Sequence, residues 1–348
     1  MSNKLYAQIK EYILNIINTS DDNVQILLPS EAQLCKKFNA SRYSVRHALK
    51  LLEDKKQIVR IQGKGTFINN NNDKYQSVFD DKCIDIVLPT LTTNHANEII
   101  RGAQQFCFEH NYILNIKNSN GTQNLENHYL RTIHYNCQGV ILFPLDTSSM
   151  SKVILDLNTS KFPCVLVDKY IPNIDFYCVQ TDNSKMLYNT VKQLKAQKYK
   201  SPCYLTLDNN LIISINERNE GFYMAMLDFY NKIENHNIIK CKSYSDDIAV
   251  YLTKHLQNKL IDCIIMNDGP FVLKFINLCN TLGIQIGKEI QLVLIDEETN
   301  LSSLNIPCRR IRQQSFEIGY SAAKMLHKII VGKQPETKTI KMLAINDF

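Results

Sequence analysis

One stretch constrains this chain more than any other: residues 29–68, PSEAQLCKKFNASRYSVRHALKLLEDKKQIVRIQGKGTFI. Ser30 followed three residues later by Gln33 is a capping-box start, in which hydroxyl and amide each satisfy an orphan backbone N–H. Ser41 repeats the signal as a hydroxyl N-cap ahead of Arg42, Tyr43 and Ser44. Val45, Ala48, Leu49 and Leu52 then fall at i, i+3, i+4 and i+7, the apolar stripe of a second helix, and Arg42, Tyr43, Arg46 and Lys50 take the opposite face. Ile58–Ile61 and Thr66–Ile68 read as paired strands across Gln62–Gly65, where Gly63 and Gly65 permit a sharp reversal. Upstream, Leu5–Ile17 reads as an amphipathic helix with Leu5, Ile9, Ile13, Ile16 and Ile17 on one side. Residues 1–68 are therefore expected to form a winged helix-turn-helix. Its second helix begins with exposed basic and hydroxyl groups, the geometry that enters a DNA major groove.

Charge supports that reading. Residues 1–68 hold 11 Lys/Arg against 6 Asp/Glu, whereas the remainder holds 29 against 28, so nearly all of the net charge of +6 sits in the first fifth of the chain. A small basic domain on a neutral large one implies a polyanion partner for the small domain only. Eleven Cys are scattered singly from Cys35 to Cys308 with no CxxC pair and no Cys/His cluster at metal spacing, so no metal site and no cofactor is expected. Isolated thiols fit buried small hydrophobes in a reducing cytosol. The N-terminus MSNKLYAQIKEY lacks the apolar core of a signal peptide, and no apolar run approaches a membrane span, so the expected location is cytoplasmic with no membrane partner.

Residues 69–73, NNNND, have nothing to bury, and 69–82 read as a linker. From Cys83 the texture changes to short apolar runs alternating with helical patterns. The expected strands are Asp85–Leu88, Tyr112–Ile116, Gly139–Phe143, Cys164–Val167, Cys203–Leu207, Ile261–Met266 and Gln291–Ile295. The expected helices are Asn97–Glu109, Asn124–Tyr135, Asn183–Gln197, Arg218–Tyr230, Asp246–Leu256 and Phe271–Leu282, with a last long helix over Ser315–Val331. Strand–helix alternation over this length means parallel sheets covered on both faces, an α/β fold. Two runs of strands make two lobes over residues 83–348, with a ligand cleft at the carboxyl ends of the strands and the last helix returning to the first lobe.

At LLPSEAQL, NASRYSVRHAL and RIQGKGTFI the first 68 residues resemble the GntR family of bacterial transcriptional regulators, three blocks in the right order and spacing. That resemblance implies DNA contacts by Ser41, Arg42, Tyr43, Ser44 and Arg46 at the start of the recognition helix, and by Gln62, Gly63 and Lys64 in the wing. Arg42 or Arg46 is suited to a bidentate contact with guanine, while Ser41, Ser44 and Lys64 suit phosphates that set register. Ala32 departs from the family, many members having Arg after the LPSE motif, and Tyr43 stands where a small polar residue is common. Residues 83–348 are similar to the type I periplasmic-binding-protein-like effector domain of LacI regulators, at IDIVLPTLTTNHANEIIRGA, CQGVILFP, PCVLVDKY, INERNEGF, DCIIMNDG and IQLVLIDE. AraR-like arabinose repressors of low-GC Gram-positive bacteria carry this same pairing of domains.

By that match Asp168, Arg218, Asn267, Asp268 and Asp296 become the polar groups of an effector cleft, joined by Asn94, His95 and Gln313. A sugar needs such a set, with carboxylates and amides accepting from hydroxyls and an Arg donating. Simpler roles stand beside it. Asp168 and Asp296 could cap following turns, Arg218 could pair on the surface with Glu217 or Glu220, Asn267–Asp268 before Gly269–Pro270 could be a plain turn, and His95 a solvated loop residue. With no Trp in the chain, ring stacking would fall to Phe143 or Tyr170, and a phosphorylated sugar would call on Arg309, Arg310 or Arg312. The expectation is a homodimeric repressor acting on a near-palindromic double-stranded DNA operator, controlled by a sugar such as arabinose. No GxxxxGK[ST], GxSxG, HExxH or post-strand GxGxxG occurs, which argues against an enzyme, and a sugar-binding transport protein would lack the DNA-binding head. A regulator whose second domain binds no sugar and serves dimerisation is the remaining alternative.

Overall fold

A computed structural model of the chain describes residues 2–19, 27–54, 57–61, 65–68, 82–133, 137–145, 151–209, 212–267, 269–296 and 306–347. The chain divides into two compact units, Met1–Asp80 and Asp81–Phe348. The expected linker, up to residue 81, lies outside the described residues.

The first unit holds α1 (Ser2–Thr19), α2 (Glu31–Phe38), α3 (Arg42–Asp54) and an antiparallel hairpin of β1 (Ile58–Ile61) and β2 (Gly65–Ile68). The capping box forms as expected: Ser30 Oγ accepts from Gln33 N and Gln33 Oε1 from Ser30 N. Asn39, left-handed at φ 45°, ends α2 and turns the chain towards Ser41, whose Oγ accepts from Ser44 N at 3.2 Å. Ile9, Ile13, Leu34, Val45, Ala48, Leu49, Leu52, Ile58 and Ile68 form one buried core, so the apolar stripe of α3 faces inward. Leu28 N donates to Thr66 O at 2.8 Å, and Leu27 bridges Phe67, fastening the segment before α2 to the hairpin.

The second unit consists of two lobes. The first is built from β3 (Cys83–Leu88), α4 (Asn94–Glu109), β4 (Ile113–Asn118), α5 (Gln123–Thr132), β5 (Gly139–Leu142), α6 (Lys152–Thr159), β6 (Cys164–Val167) and β7 (Tyr177–Thr181). The chain then crosses into the second lobe: α7 (Asn183–Ala196), β8 (Pro202–Leu207), α8 (Ile213–Tyr230), β9 (Ile238–Cys241), α9 (Ala249–Gln257), β10 (Cys263–Asn267), α10 (Pro270–Leu282), β11 (Gln291–Ile295) and β12 (Cys308–Arg312). It returns with α11 (Ser315–Ile330) and β13 (Thr339–Met342), then crosses a third time to β14 (Ile345–Asn346). The first sheet is wholly parallel in the order β4-β3-β5-β6-β7-β13, and the second runs β9-β8-β10-β11-β12-β14 with only β14 antiparallel. Both lobes carry apolar clusters on the two faces of their sheet.

The seven expected strands and seven helices of this unit are present, with ends shifted by a few residues. Five strands were not anticipated: β7, β9, β12, β13 and β14, along with α6. Continuous apolar runs mark central parallel strands; β12 reads CRRIR, β13 reads TIKM, and β9 and β14 are short edge strands. Among the described residues no helix is long and apolar enough to cross a membrane.

Helix pairs lock each lobe at backbone contact. In α4, a Cβ on Gly102 would lie 1.9 Å from Phe316 O of α11, and one on Gly319 would lie 1.9 Å from Ile99 O. In the second lobe, a Cβ on Gly221 of α8 would meet Ser184 O of α7 at 2.0 Å. Gly to Ala inside a helix ordinarily gains about 1 kcal/mol in propensity. Here the added methyl has to push the paired helices apart, an overpacking cost of about 1–3 kcal/mol or more. Gly102→Ala is therefore expected to lower the unfolding free energy of this unit by about 1–2 kcal/mol in urea titrations, and a stabilised variant would contradict the close approach.

Candidate functional site

In the first unit the exposed end of α3 is built around one carboxylate. Glu31 opens α2, and its Oε2 accepts from Arg46 Nε at 2.9 Å while Oε1 accepts from Arg60 Nη1 at 3.4 Å. Arg60 also lies 3.5 Å from Glu53. Arg42 is exposed and makes no hydrogen bond or ion pair with the described residues, so all its guanidinium donors are open. Tyr43 is 78% exposed and its ring stacks parallel to that of His47, 6.4 Å away. Ser41 and Ser44 share a 3.0 Å hydroxyl contact besides the cap. The structure thus places Ser41, Arg42, Tyr43, Ser44 and Arg46 at one helix start. Gln62, Gly63 and Lys64 lie outside the described residues. Sequence reasoning missed His47, whose ring extends the exposed surface of Tyr43, although its place one turn after Tyr43 could have flagged it.

In the second unit the candidate groups converge at the carboxyl ends of the strands. Asp168 follows β6 and Asp296 follows β11, and both are left-handed, at φ 66° and 72°. Each is pinned by its own amide to the neighbouring strand: Asp168 N donates to Val179 O at 3.0 Å and Asp296 N to Ile311 O at 2.8 Å. Asp168 is not the N-cap of a helix, and residues 297–305, which follow Asp296, lie outside the described residues. Asp168 meets His95, the second residue of α4, with Nε2 and Oδ1 2.9 Å apart, while His95 Nδ1 reaches Ser315 Oγ at 2.6 Å. Phe143 presents its ring edge-to-face to the imidazole at 6.0 Å. His95 is accordingly a half-buried, doubly bonded helix residue and not a solvated loop residue.

Burial works against the charged imidazole, but the hydrogen bond and charge of Asp168, with Asp296 farther off, outweigh it and hold the His95 pKa above its ordinary value, against Arg218. Burial likewise raises Asp168, yet His95, then Lys169 and Arg218, bring its pKa below the ordinary value. Both shifts favour the ion pair, and in the protonated imidazole both ring nitrogens donate, one to Asp168 and one to Ser315. Because Asp296 and Arg218 of the second lobe act on the His95 charge in the first, the pair belongs to one electrostatic site spanning both lobes.

On the second lobe, Asp296 Oδ2 accepts from Gln313 Nε2 at 2.8 Å, and Gln313 Oε1 accepts from Thr181 Oγ1 at 2.6 Å. Arg218 is 6% exposed on α8, with Nε donating to Asn183 Oδ1 at 2.8 Å and Nη1 to Asn267 Oδ1 at 3.0 Å. Pairing with Glu217 or Glu220 on the surface is therefore not its role, and Asn267 is the held end of β10. Asp268 lies outside the described residues. A cleft of about 350 Å³ is lined by Asn94, His95, Asp296, Gln313 and Ser315, within the range of small-molecule sites of about 300–1,000 Å³. Of the three arginines of β12, Arg310 donates to Asp296 O at 2.8 Å, Arg312 pairs with Asp347 at 2.8 Å, and Arg309 lies over the Tyr199 ring. Tyr170 is 36% exposed beyond the end of β6.

Sequence reasoning missed Thr181, Asn183 and Ser315, along with Gln180, a buried residue whose Nε2 has no hydrogen-bond partner among the described residues. A signal was present: Thr181-Asp182-Asn183 and Gln313-Gln314-Ser315 are the same strand-to-helix step, made at the first two crossings. Among the described residues no group of three or more His, Cys, Asp and Glu side chains is arranged to hold a metal ion.

Comparisons with known proteins follow the same division. Residues 5–68 match the bacterial regulatory proteins of the gntR family, and residues 81–346 match the periplasmic binding proteins and sugar binding domain of the LacI family. A Geobacillus stearothermophilus protein named arabinose metabolism transcriptional repressor is 23% identical over 350 residues, spanning 93% of this chain and 91% of its own length. Among solved structures, the transcription regulator CcpA of Lactococcus lactis superposes with a TM-score of 0.65 at 18% identity, over 77% of this chain and 97% of that one. A periplasmic binding protein/LacI transcriptional regulator from Alkaliphilus metalliredigens, complexed with D-xylulofuranose, gives 0.60 at 17% identity over the same shares. At these identities the structural likeness is one of fold.

The His95–Asp168 pair has a signed pH consequence. A raised His95 pKa contributes stability that is complete below its ordinary 6.5 and fades as pH rises through the folded value. A lowered Asp168 pKa contributes above its ordinary 3.8 and fades as pH falls through the folded value. The pair is thus expected to stabilise most between about pH 4 and 6.5. Asp168→Asn, which leaves the imidazole without its anion, should cost on the order of 3 kcal/mol near pH 6 and flatten the decline above about pH 6.5. Urea titrations from about pH 4 to 8.5 measure both, and superimposable pH profiles would refute the pairing.

Proposed function

We propose a sugar-controlled repressor, on the premise that the chain belongs to the family of periplasmic binding proteins and LacI-type sugar-binding domains and bears a gntR-family head. As such it is a DNA-binding transcriptional regulator. The finer reading is that a sugar such as arabinose binds between the two lobes and alters the grip of a homodimer on a near-palindromic operator in the cytoplasm. One observation carries it. His95, Gln313 and Asp296 line the cleft and bond into the crossings between the lobes, His95 to Ser315 and Gln313 to both Thr181 and Asp296. A polyhydroxyl ligand offers donors and acceptors to replace those bonds, so occupying the cleft and changing lobe geometry are one event. The relative's name supports arabinose as the first sugar to try.

On the DNA side, Arg42 carries the unspent guanidinium and is assigned to base readout, while Ser41, Ser44 and Lys64 are assigned to phosphates. For the two functions to be coupled, the effector must bind the DNA-competent and incompetent states with different affinity, commonly by about 1–3 kcal/mol.

Two measurements test this reading. A thermal-shift panel of mono- and phosphosugars on the full chain should give a hit that includes a pentose. At about 100 times Kd it adds roughly 2.7 kcal/mol, a shift of several degrees, and Asp296→Ala should abolish it. A flat panel would retire the sugar reading and leave the second unit a dimerisation domain. Selection from a random duplex library should yield a two-fold symmetric consensus, and Arg42→Ala should lose about 1–3 kcal/mol of binding to it with relaxed choice at one base. An unsymmetric consensus would remove the dimeric operator.

A further inference from the structure

We propose that Glu217 is a positioning residue for Arg218, and that Lys341, reaching over from the first lobe, holds it there, so that the arginine is correctly presented only while the lobes are together. The proposal rests on the reading of Arg218 as an effector-binding group.

Asn183 is the first residue of α7 and 2% exposed. A guanidinium only donates, so an amide beside Arg218 must turn its oxygen towards it, and Asn183 Oδ1 does so at 2.8 Å from Nε. The other end of that amide is then a donor in a buried place and requires an acceptor. Glu217 supplies it, with Asn183 Nδ2 donating to Glu217 Oε2 at 3.2 Å. Remove the carboxylate and Asn183 Nδ2 keeps only its longer bond to Thr181 O at 3.4 Å, so the amide orientation that Arg218 needs is held less firmly. Glu217 therefore acts on Arg218 through Asn183, although it precedes Arg218 in the same helix.

A carboxylate with a side chain only 14% exposed needs more than one amide to offset its desolvation. Its second oxygen receives Lys341 Nζ at 3.2 Å. Lys341 lies on β13, the edge strand of the first sheet, and Glu217 on α8 of the second lobe, so this ion pair joins the lobes. Glu217 draws the lysine pKa upward, with Asp182 and Tyr170 adding to it against the effect of burial. The bonds run without a gap from Lys341 through Glu217, Asn183 and Arg218 to Asn267 at the end of β10. Separating the lobes at β13 strips Glu217 of its cation, and the disturbance reaches the guanidinium two hydrogen bonds later. Lys341 should thus govern effector binding without lining the cleft.

Hydrogen–deuterium exchange of the full chain, with no ligand present, tests the clamp by itself. Lys341→Met is expected to raise exchange several-fold in residues 181–184 and in the first two turns of α8, and Lys341→Arg to stay near wild type. Unchanged exchange in Lys341→Met overturns the proposal. Titration with L-arabinose tests the positioning. Lys341→Met should weaken binding by about tenfold, Glu217→Leu at least as much, and the double variant no more than Glu217→Leu alone, because the lysine acts only through the carboxylate. Additive losses, or full affinity in Lys341→Met, overturn the proposal. If the wild-type chain binds no sugar, the effector reading fails separately and the exchange experiment alone decides the clamp.

Discussion

The second unit depends on how the chain steps from one sheet to the other. At Thr181-Asp182-Asn183 and again at Gln313-Gln314-Ser315, a strand ends and a helix begins within three residues, in opposite directions between the lobes. Thr181, Asn183 and Ser315 are buried there and Gln313 is partly so, and their polar side chains need partners inside the protein. They find them among the candidate groups: Thr181 through Gln313 to Asp296, Asn183 to Arg218, and Ser315 to His95. The crossings and the candidate binding groups are consequently one hydrogen-bonded network. A bond lost at Asp296 or Arg218 is lost from a partner at a crossing between the lobes, Gln313 or Asn183.

The lobes repeat each other in backbone and diverge in side chains. Asp168 and Asp296 end the fourth strand of their lobes in the same left-handed conformation and donate to the same position on the fifth strand. Gly102 and Gly221 bring the paired helices to the same near-contact. On this common frame the first lobe answers its Asp with a titratable imidazole whose pKa is raised, and the second answers with a neutral amide from Gln313. The carboxylates are therefore unequal: Asp168 is bound by charge and costly to displace, whereas Asp296 exchanges one neutral partner for another. The asymmetry makes Asp296 the side on which a hydroxyl can enter most readily.

Much of this is legible in the residues. The capping box at Ser30 and Gln33, the inward stripe of α3 and the seven apolar strands all follow local rules that packing did not override. What escapes has a physical reason in each case. β12 carries three arginines in five residues and still forms a strand, because two spend their charge on a backbone oxygen and on Asp347 while the third stacks on a tyrosine. His95 reads as solvated because the acid that buries it lies 73 positions away. The surface pairing of Arg218 is a helix-neighbour argument, and it fails because α8 turns that face towards Asn183 and Asn267. Local spacing finds elements; it does not reveal which polar side chains meet across long stretches of chain.

Exposure decides what the ion pairs of the two units can do. Arg46 and Glu31 meet at 2.9 Å with side chains 64% and 30% exposed, and His95 and Asp168 meet at the same distance with both at 11%. Surface pairs are worth about 0–1 kcal/mol, so Arg46 and Arg60 are oriented by Glu31 at a cost a phosphate can readily reverse. The interior pair is held against desolvation and cannot be opened without a replacement of equal chemistry. One geometry thus serves opposite ends. On α3 it keeps cations aligned yet available to a strong anion, and in the cleft it keeps a site closed to everything except a ligand that supplies both the donor and the acceptor it removes.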